Sequence, residues 1–144
     1  MGYDPLTGRD DLPGIDTPIE QEAREFLLDP DHKAVKGIVI DDASVDAGNA
    51  GKTHILRPGL ALIRGAGTGG KFVPADHASA PADNAILEAV ILMHYVNMRG
   101  ADGVARDKTA QGLWHGRVQD SQIIFVDASY DEDIRAALPQ VRFE

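Results

Sequence analysis

Leu56-Arg57-Pro58-Gly59-Leu60-Ala61-Leu62-Ile63-Arg64 runs into Gly65-Ala66-Gly67-Thr68-Gly69-Gly70 and leaves as Lys71-Phe72-Val73-Pro74. A short apolar run enters a glycine-rich reversal and a second short run returns. Glycine supplies the positive φ values that tight reversals need, so the stretch predicts a β-hairpin. The same letters contain a rival. Gly65, Gly67 and Gly70 fit the G-x-G-x-x-G phosphate-binding pattern. That pattern works only where the glycines follow a strand and open a helix whose N-terminus faces the pyrophosphate. Here Lys71-Phe72-Val73-Pro74 follows, extended and closed by proline, so no helix opens and the turn reading is preferred.

Working outward, Val35–Ile40 is a strand candidate, Asp41–Lys52 a polar loop, and Thr53–Ile63 a second strand region interrupted at Pro58-Gly59. Asp76–Asn84 reads as a loop. Ala85–Met98 has the length of a helix, but Ile86, Val90, Ile91, Tyr95 and Val96 favour a strand. As a strand it is apolar on both faces, Leu87, Ala89, Ile91, Met93 and Tyr95 on one and Ile86, Val90, Leu92 and Val96 on the other. A small domain rarely covers both, which predicts a subunit contact. Arg99–Thr109 is a glycine-containing loop, Gly112–Val118 a strand, and Gln122–Val126 extended. Ser129-Tyr130-Asp131-Glu132 forms a capping box that opens a helix to Leu138, with Ile134, Ala137 and Leu138 inward. Val141–Glu144 alternates like a last strand. The fold class expected is mainly β (α+β): a compact β-rich domain, residues 35–144, with a glycine hairpin and one short late helix.

Residues 1–34 read as a separate, extended N-terminal arm. They hold Pro5, Pro13, Pro18 and Pro30, many acids and little strand character. Within them Thr17-Pro18-Ile19-Glu20 is a capping box with proline at the first helical position. It predicts a short helix from Pro18 to Leu28 with Ile19, Ala23, Phe26 and Leu27 on one stripe. The stripe packs on its own domain or docks on a partner, and a stripe so short does not choose.

Composition narrows function. The chain has 144 residues with 14 basic and 23 acidic, a net charge of −9, and no Lys/Arg cluster for a nucleic-acid backbone. Without cysteine there is no disulfide, thiolate or Cys-based zinc chemistry. Met1-Gly2-Tyr3-Asp4-Pro5 lacks the basic start and apolar middle of a secretion signal, and the run around Ala89–Met93 is too short to span a bilayer. Synthesis in the cytoplasm, with neither nucleic acid nor membrane as partner, is the expectation.

No catalytic, cofactor or metal site is assigned. The five histidines, His32, His54, His77, His94 and His115, form no i, i+4 pair. His94, within an apolar run, reads as an interface or core polar group. Asp120-Ser121 lacks the G-x-S-x-G elbow of an activated serine and reads as a turn. Asp131 and Asp133 sit in the first turn of a helix, where the dipole favours negative charge. Trp114 and Tyr95, with 6% aromatic residues in the chain, suit packing better than a base-stacking platform.

The order of these motifs carries a resemblance. The hairpin LRPGLALIRGAGTGGKFVP (residues 56–74) resembles a segment of the head decoration (capsid cement) proteins of lambda-like tailed phages. Ala85–Leu92 resembles the strand that follows it there, His115-Gly116-Arg117-Val118-Gln119 the family's Gly-x-Val strand, and Ala128–Leu138 its late helix. The blocks fall in order over residues 36–144. The arm, with its capped helix, and the length of the 99–111 loop depart from the family pattern.

The resemblance implies a homotrimeric virion structural protein on the exterior of the capsid, with the major capsid protein as partner and no catalytic site or cofactor. Arm residues Ile19, Phe26, Leu27 and Leu28 would meet the capsid, and Ile91, Met93, Tyr95 and Trp114 would lie between subunits. Two other classes stay open. One is a small β-barrel enzyme or ligand-binding domain using the region of Gly65–Gly70 with His94 or His115. The other is a different phage virion or tail-assembly protein.

Overall fold

The computed structural model describes residues 26–144. Ile19 and most of the Pro18–Leu28 helix lie outside the described residues. With 34% strand against 15% helix the fold is mainly β, of the α+β kind.

Strand β1 (Ala34–Ile40) pairs antiparallel with the long β6 (Lys108–Val118). β6 pairs antiparallel with β4 (Glu88–Leu92) through Ile91–Leu113 and Leu92–Gly112, and β4 with β3 (Ala61–Arg64). The sheet order is therefore β1-β6-β4-β3, with the terminal strand β7 (Val141–Phe143) running parallel to the end of β6. Two short strands, β2 (Ile55–Leu56) and β5 (Val96–Asn97), form a separate pair. The one α-helix among the described residues, α1 (Asp131–Ala136), precedes β7.

The glycine reversal forms, but the expected return strand at Lys71–Val73 is reduced to isolated bridges at Phe72 and Val73. Ile63 and Val73 exchange both backbone hydrogen bonds at 2.8 Å. Between them Ala66–Thr68 makes a single 3₁₀ turn, and Gly69 and Gly70 take φ of 64° and 84°, which L side chains resist. Phe72 then bonds to Val39 and Asp41 at the end of β1, so the returning segment reaches from β3 to β1.

Both faces of β4 are covered from within the chain, contrary to the reasoning that predicted a subunit contact there. Alternation sends Ala89 and Ile91 to one side and Val90 and Leu92 to the other. The first pair joins a core with Ile63, Val73, Leu113, Val118, Ile134 and Leu138. The second joins Ile38, Ile40, Leu56, Leu60, Leu62, Phe72 and Met98. β4 is thus a central strand buried on both sides, and it ends at Leu92. The expected run to Met98 breaks at Met93–Tyr95 before β5 begins.

Further boundaries move. β6 starts at Lys108, four residues before the expected Gly112, because Lys108–Ala110 pair with Val39, Ile40 and Ile38 of β1. Gly112 belongs to that strand for a steric reason, since a Cβ there would lie 2.6 Å from Val90 Cβ. The expected serine does not cap the late helix: α1 starts after Tyr130, which makes no side-chain cap hydrogen bond, and Asp127 caps the 3₁₀ turn before it. Asp127 accepts from the Ser129 N–H (2.9 Å) and Oγ (2.7 Å), and a 3₁₀ turn over Ala128–Tyr130 leads into α1. α1 ends at Ala136, short of the expected Leu138, but Ile134 and Leu138 still face the core, with Ala137 packed against it.

The arm boundary also shifts. Phe26–Leu28 are extended rather than helical, with Leu27 bridged antiparallel to Val118. Leu28 N–H donates to Arg117 (2.9 Å), and Gln119 N–H donates to Phe26 (2.7 Å). Phe26 is 3% exposed, inside the first core. The domain therefore begins no later than Phe26, not at residue 35, because an edge position on β6 lets Phe26 bury its ring and satisfy its backbone together.

Candidate functional site

The most built surface feature lies where β6 changes partner. Its Leu113 end pairs with β4, and its Gly116–Val118 end pairs with β7. Between the two pairings the sheet forks. The fork leaves a mostly apolar crevice of about 390 Å³, walled by Ala89, Trp114, Ala137, Leu138 and Pro139. Trp114 is 41% exposed, a large indole left in solvent beside it. Its ring meets that of His115 edge-on at 6.0 Å between centroids.

Charges line the same crevice. Lys36 Nζ contacts Glu88 Oε2, while Arg64 Nε donates to Glu88 Oε1 at 2.7 Å. Glu88 thus bridges two cations from β1 and β3. Burial first, and the neighbouring Arg64 second, push the Lys36 amine below its ordinary range. An apolar floor with a charge-stitched edge is the make-up of a protein-docking surface. The crevice walls named here include no hydroxyl or thiol nucleophile.

The expected contact residues separate. Trp114 is exposed, and Met93 and Tyr95 are half-buried, but Ile91 is fully buried in the first core and offers nothing to a neighbouring subunit. Of the arm set, Leu28 is 44% exposed, Leu27 is half-buried against the core, and Phe26 is committed to it. The crevice itself was missed by sequence reasoning, apart from Trp114, because its walls come from β4, β6 and the α1–β7 connection. Only proximity in the fold joins them.

Metal and cofactor readings find little to hold. The G-x-G-x-x-G stretch opens no α-helix, only the three-residue 3₁₀ turn. The histidines are dispersed: His32 pairs with Asp29, and His94, an exposed side chain rather than a core group, accepts weakly from Gln111 N–H. The carboxylates of Asp41, Asp42 and Asp107 lie within 4.8 Å of one another. A cation is already supplied by the protein, since Lys71 Nζ stands 2.7 Å from Asp107 and 3.8 Å from Asp41. The Lys71 hydrogen bond holds the Asp107 carboxyl below its ordinary range and raises the Lys71 amine. Asp41 also takes a 2.8 Å hydrogen bond from His77 Nε2, whose Nδ1 accepts from Ser79 N–H. The trio reads as a loop lock. Asp120-Ser121 forms a 3₁₀ turn, with Asp120 bound to Arg135.

No protein-family model matches the sequence, and comparison with curated proteins and with solved structures finds no match either.

Proposed function

We propose that this chain is a head decoration protein of a tailed phage, a homotrimer that adheres to the outside of the capsid through the major capsid protein. What supports the reading is the order of elements behind the resemblance. The glycine turn closed by Lys71-Phe72-Val73-Pro74 makes the hairpin, the apolar stretch gives β4, Gly112–Val118 falls in β6, and the late helix and last strand give α1 and β7. The observation that carries it is the Trp114 crevice, an exposed indole over an apolar fork, suited to contact with another protein. The subunit face is assigned to this fork and not to Ile91. Residues 1–25 supply the reach toward the capsid, and their root is fixed in the core by Phe26. Three such segments in one trimer bind together, so each needs only weak affinity.

The test is to mix the purified chain with expanded, undecorated heads and measure co-sedimentation. Saturable, stoichiometric binding is expected, and its absence contradicts the reading. Trp114→Ala should leave thermal stability nearly unchanged while lowering the trimer fraction seen by analytical ultracentrifugation.

A further inference from the structure

We propose that residues 1–25 fold back over the Trp114 crevice of their own chain and shield it before assembly. The crevice is mostly apolar, about 390 Å³, and opens beside an indole that is 41% exposed. An apolar cleft of this kind on a free chain is a contact surface. It also borders a broken sheet edge. The β4–β6 pairing stops at Ile91–Leu113, so Glu88–Val90 have no β6 partner in register among the described residues. A narrow fork beside an open strand edge takes an extended segment and its alternate side chains rather than a flat face.

Charge favours residues 1–25 as that segment. At the rim Lys36 and Arg64 stand against the single carboxylate of Glu88, a local excess of positive charge in a chain of net −9. Residues 1–25 carry seven carboxylates and two arginines, so they meet the rim with the opposite sign. Among them Leu12, Ile15 and Ile19 supply apolar side chains for the cleft.

Reach favours it too. The root of the segment is Phe26, whose carbonyl accepts from Gln119 N–H at 2.7 Å, five residues along the chain from Trp114. Five residues of strand cover about 17 Å. Extended chain from Phe26 back to Ile19 spans up to about 24 Å, and back to Ile15 about 37 Å. Both side chains therefore reach the crevice without a second copy. A tethered segment binds at high effective concentration, so weak contacts suffice and a partner displaces it readily. The cover does not rest on the capsid reading, since it forms in the free chain. Under that reading, a capsid that takes the segment bares the crevice for a neighbouring copy.

Trp114 is the only tryptophan in the chain, so its fluorescence reports on the crevice directly. The experiment compares the full chain with the double variant Ile15→Ser, Ile19→Ser at low salt over a range of protein concentrations. In the unaltered chain, blue-shifted emission and weak acrylamide quenching are expected, both unchanged on dilution. In the variant the emission shifts to the red and quenching rises, with the melting temperature nearly unchanged because no residue of the described core is altered. Raising the salt should move the unaltered chain toward the variant as the charges are screened. Identical emission and quenching in the two proteins overturn the proposal. So does protection of Trp114 that fades on dilution, which puts a second copy in the crevice. Neither result bears on binding to heads, which co-sedimentation measures separately.

Discussion

Phe26 separates the domain from the segment before it. Its ring is buried and its carbonyl is tied to Gln119, so Phe26→Ala leaves a cavity at the edge of β6. A loss of about 3–5 kcal/mol in urea unfolding is expected. A loss near zero would mean the ring is not seated in the core. At the other chain end, Glu144 accepts from Arg117 Nε (2.7 Å) and Nη2 (2.9 Å). Those hydrogen bonds, with Arg142 adding, hold its carboxyl below the ordinary range. A carboxyl depressed in the folded state stabilises above its unfolded pKa, and that contribution is lost as pH falls through the lower, folded pKa. Acid should therefore loosen the Glu144–Val118 backbone contact, read as a lower protection of the Glu144 amide relative to its intrinsic exchange rate at the same pH. Glu144→Gln should remove that acid step, with a small effect on global stability because the pair is exposed.

Among the elements, the glycine hairpin bears the sharpest test. Gly69 and Gly70 hold left-handed backbone conformations, with open space where each Cβ would sit. The cost of alanine there is conformational rather than steric, about 1–2 kcal/mol per position. Gly69→Ala with Gly70→Ala should lower the melting temperature and weaken the Ile63–Val73 pairing. A neutral result would contradict the turn geometry. This hairpin was legible because apolar runs and glycines mark it within one local stretch. β1, β7 and the inner face of α1 were legible for the same local reason. The start of β6 was not, since Lys108-Thr109-Ala110-Gln111 looks polar until β1 pairs beside it. The capping box at Ser129 did not form because Asp127 takes the Ser129 N–H to cap a 3₁₀ turn, which leaves Tyr130, without a side-chain cap bond, at the start of α1. Covering both faces of β4 required two cores, and the second depends on Leu56, Leu60 and Met98 arriving from distant segments. The Trp114 crevice escaped reading for that reason: its walls come from β4, β6 and the connection after α1.

For the whole molecule, the proposed function assigns adhesion to residues 1–25 and folding to the chain from Phe26 on. Removing residues 1–25 should keep the melting temperature of the domain while abolishing co-sedimentation with heads. Extending the deletion through Leu28 should destabilise the domain itself, because it strips Phe26 and Leu27 from β6. Equal stability of the two truncations would place the boundary later in the chain. Whether this polypeptide fastens to a viral shell, as proposed, is read from cryo-electron microscopy of particles assembled with and without it. Threefold-shaped density on the outer surface is expected, present only with the chain and fitted by three copies meeting near Trp114. Identical shells in both samples, or density confined to the tail, would contradict it.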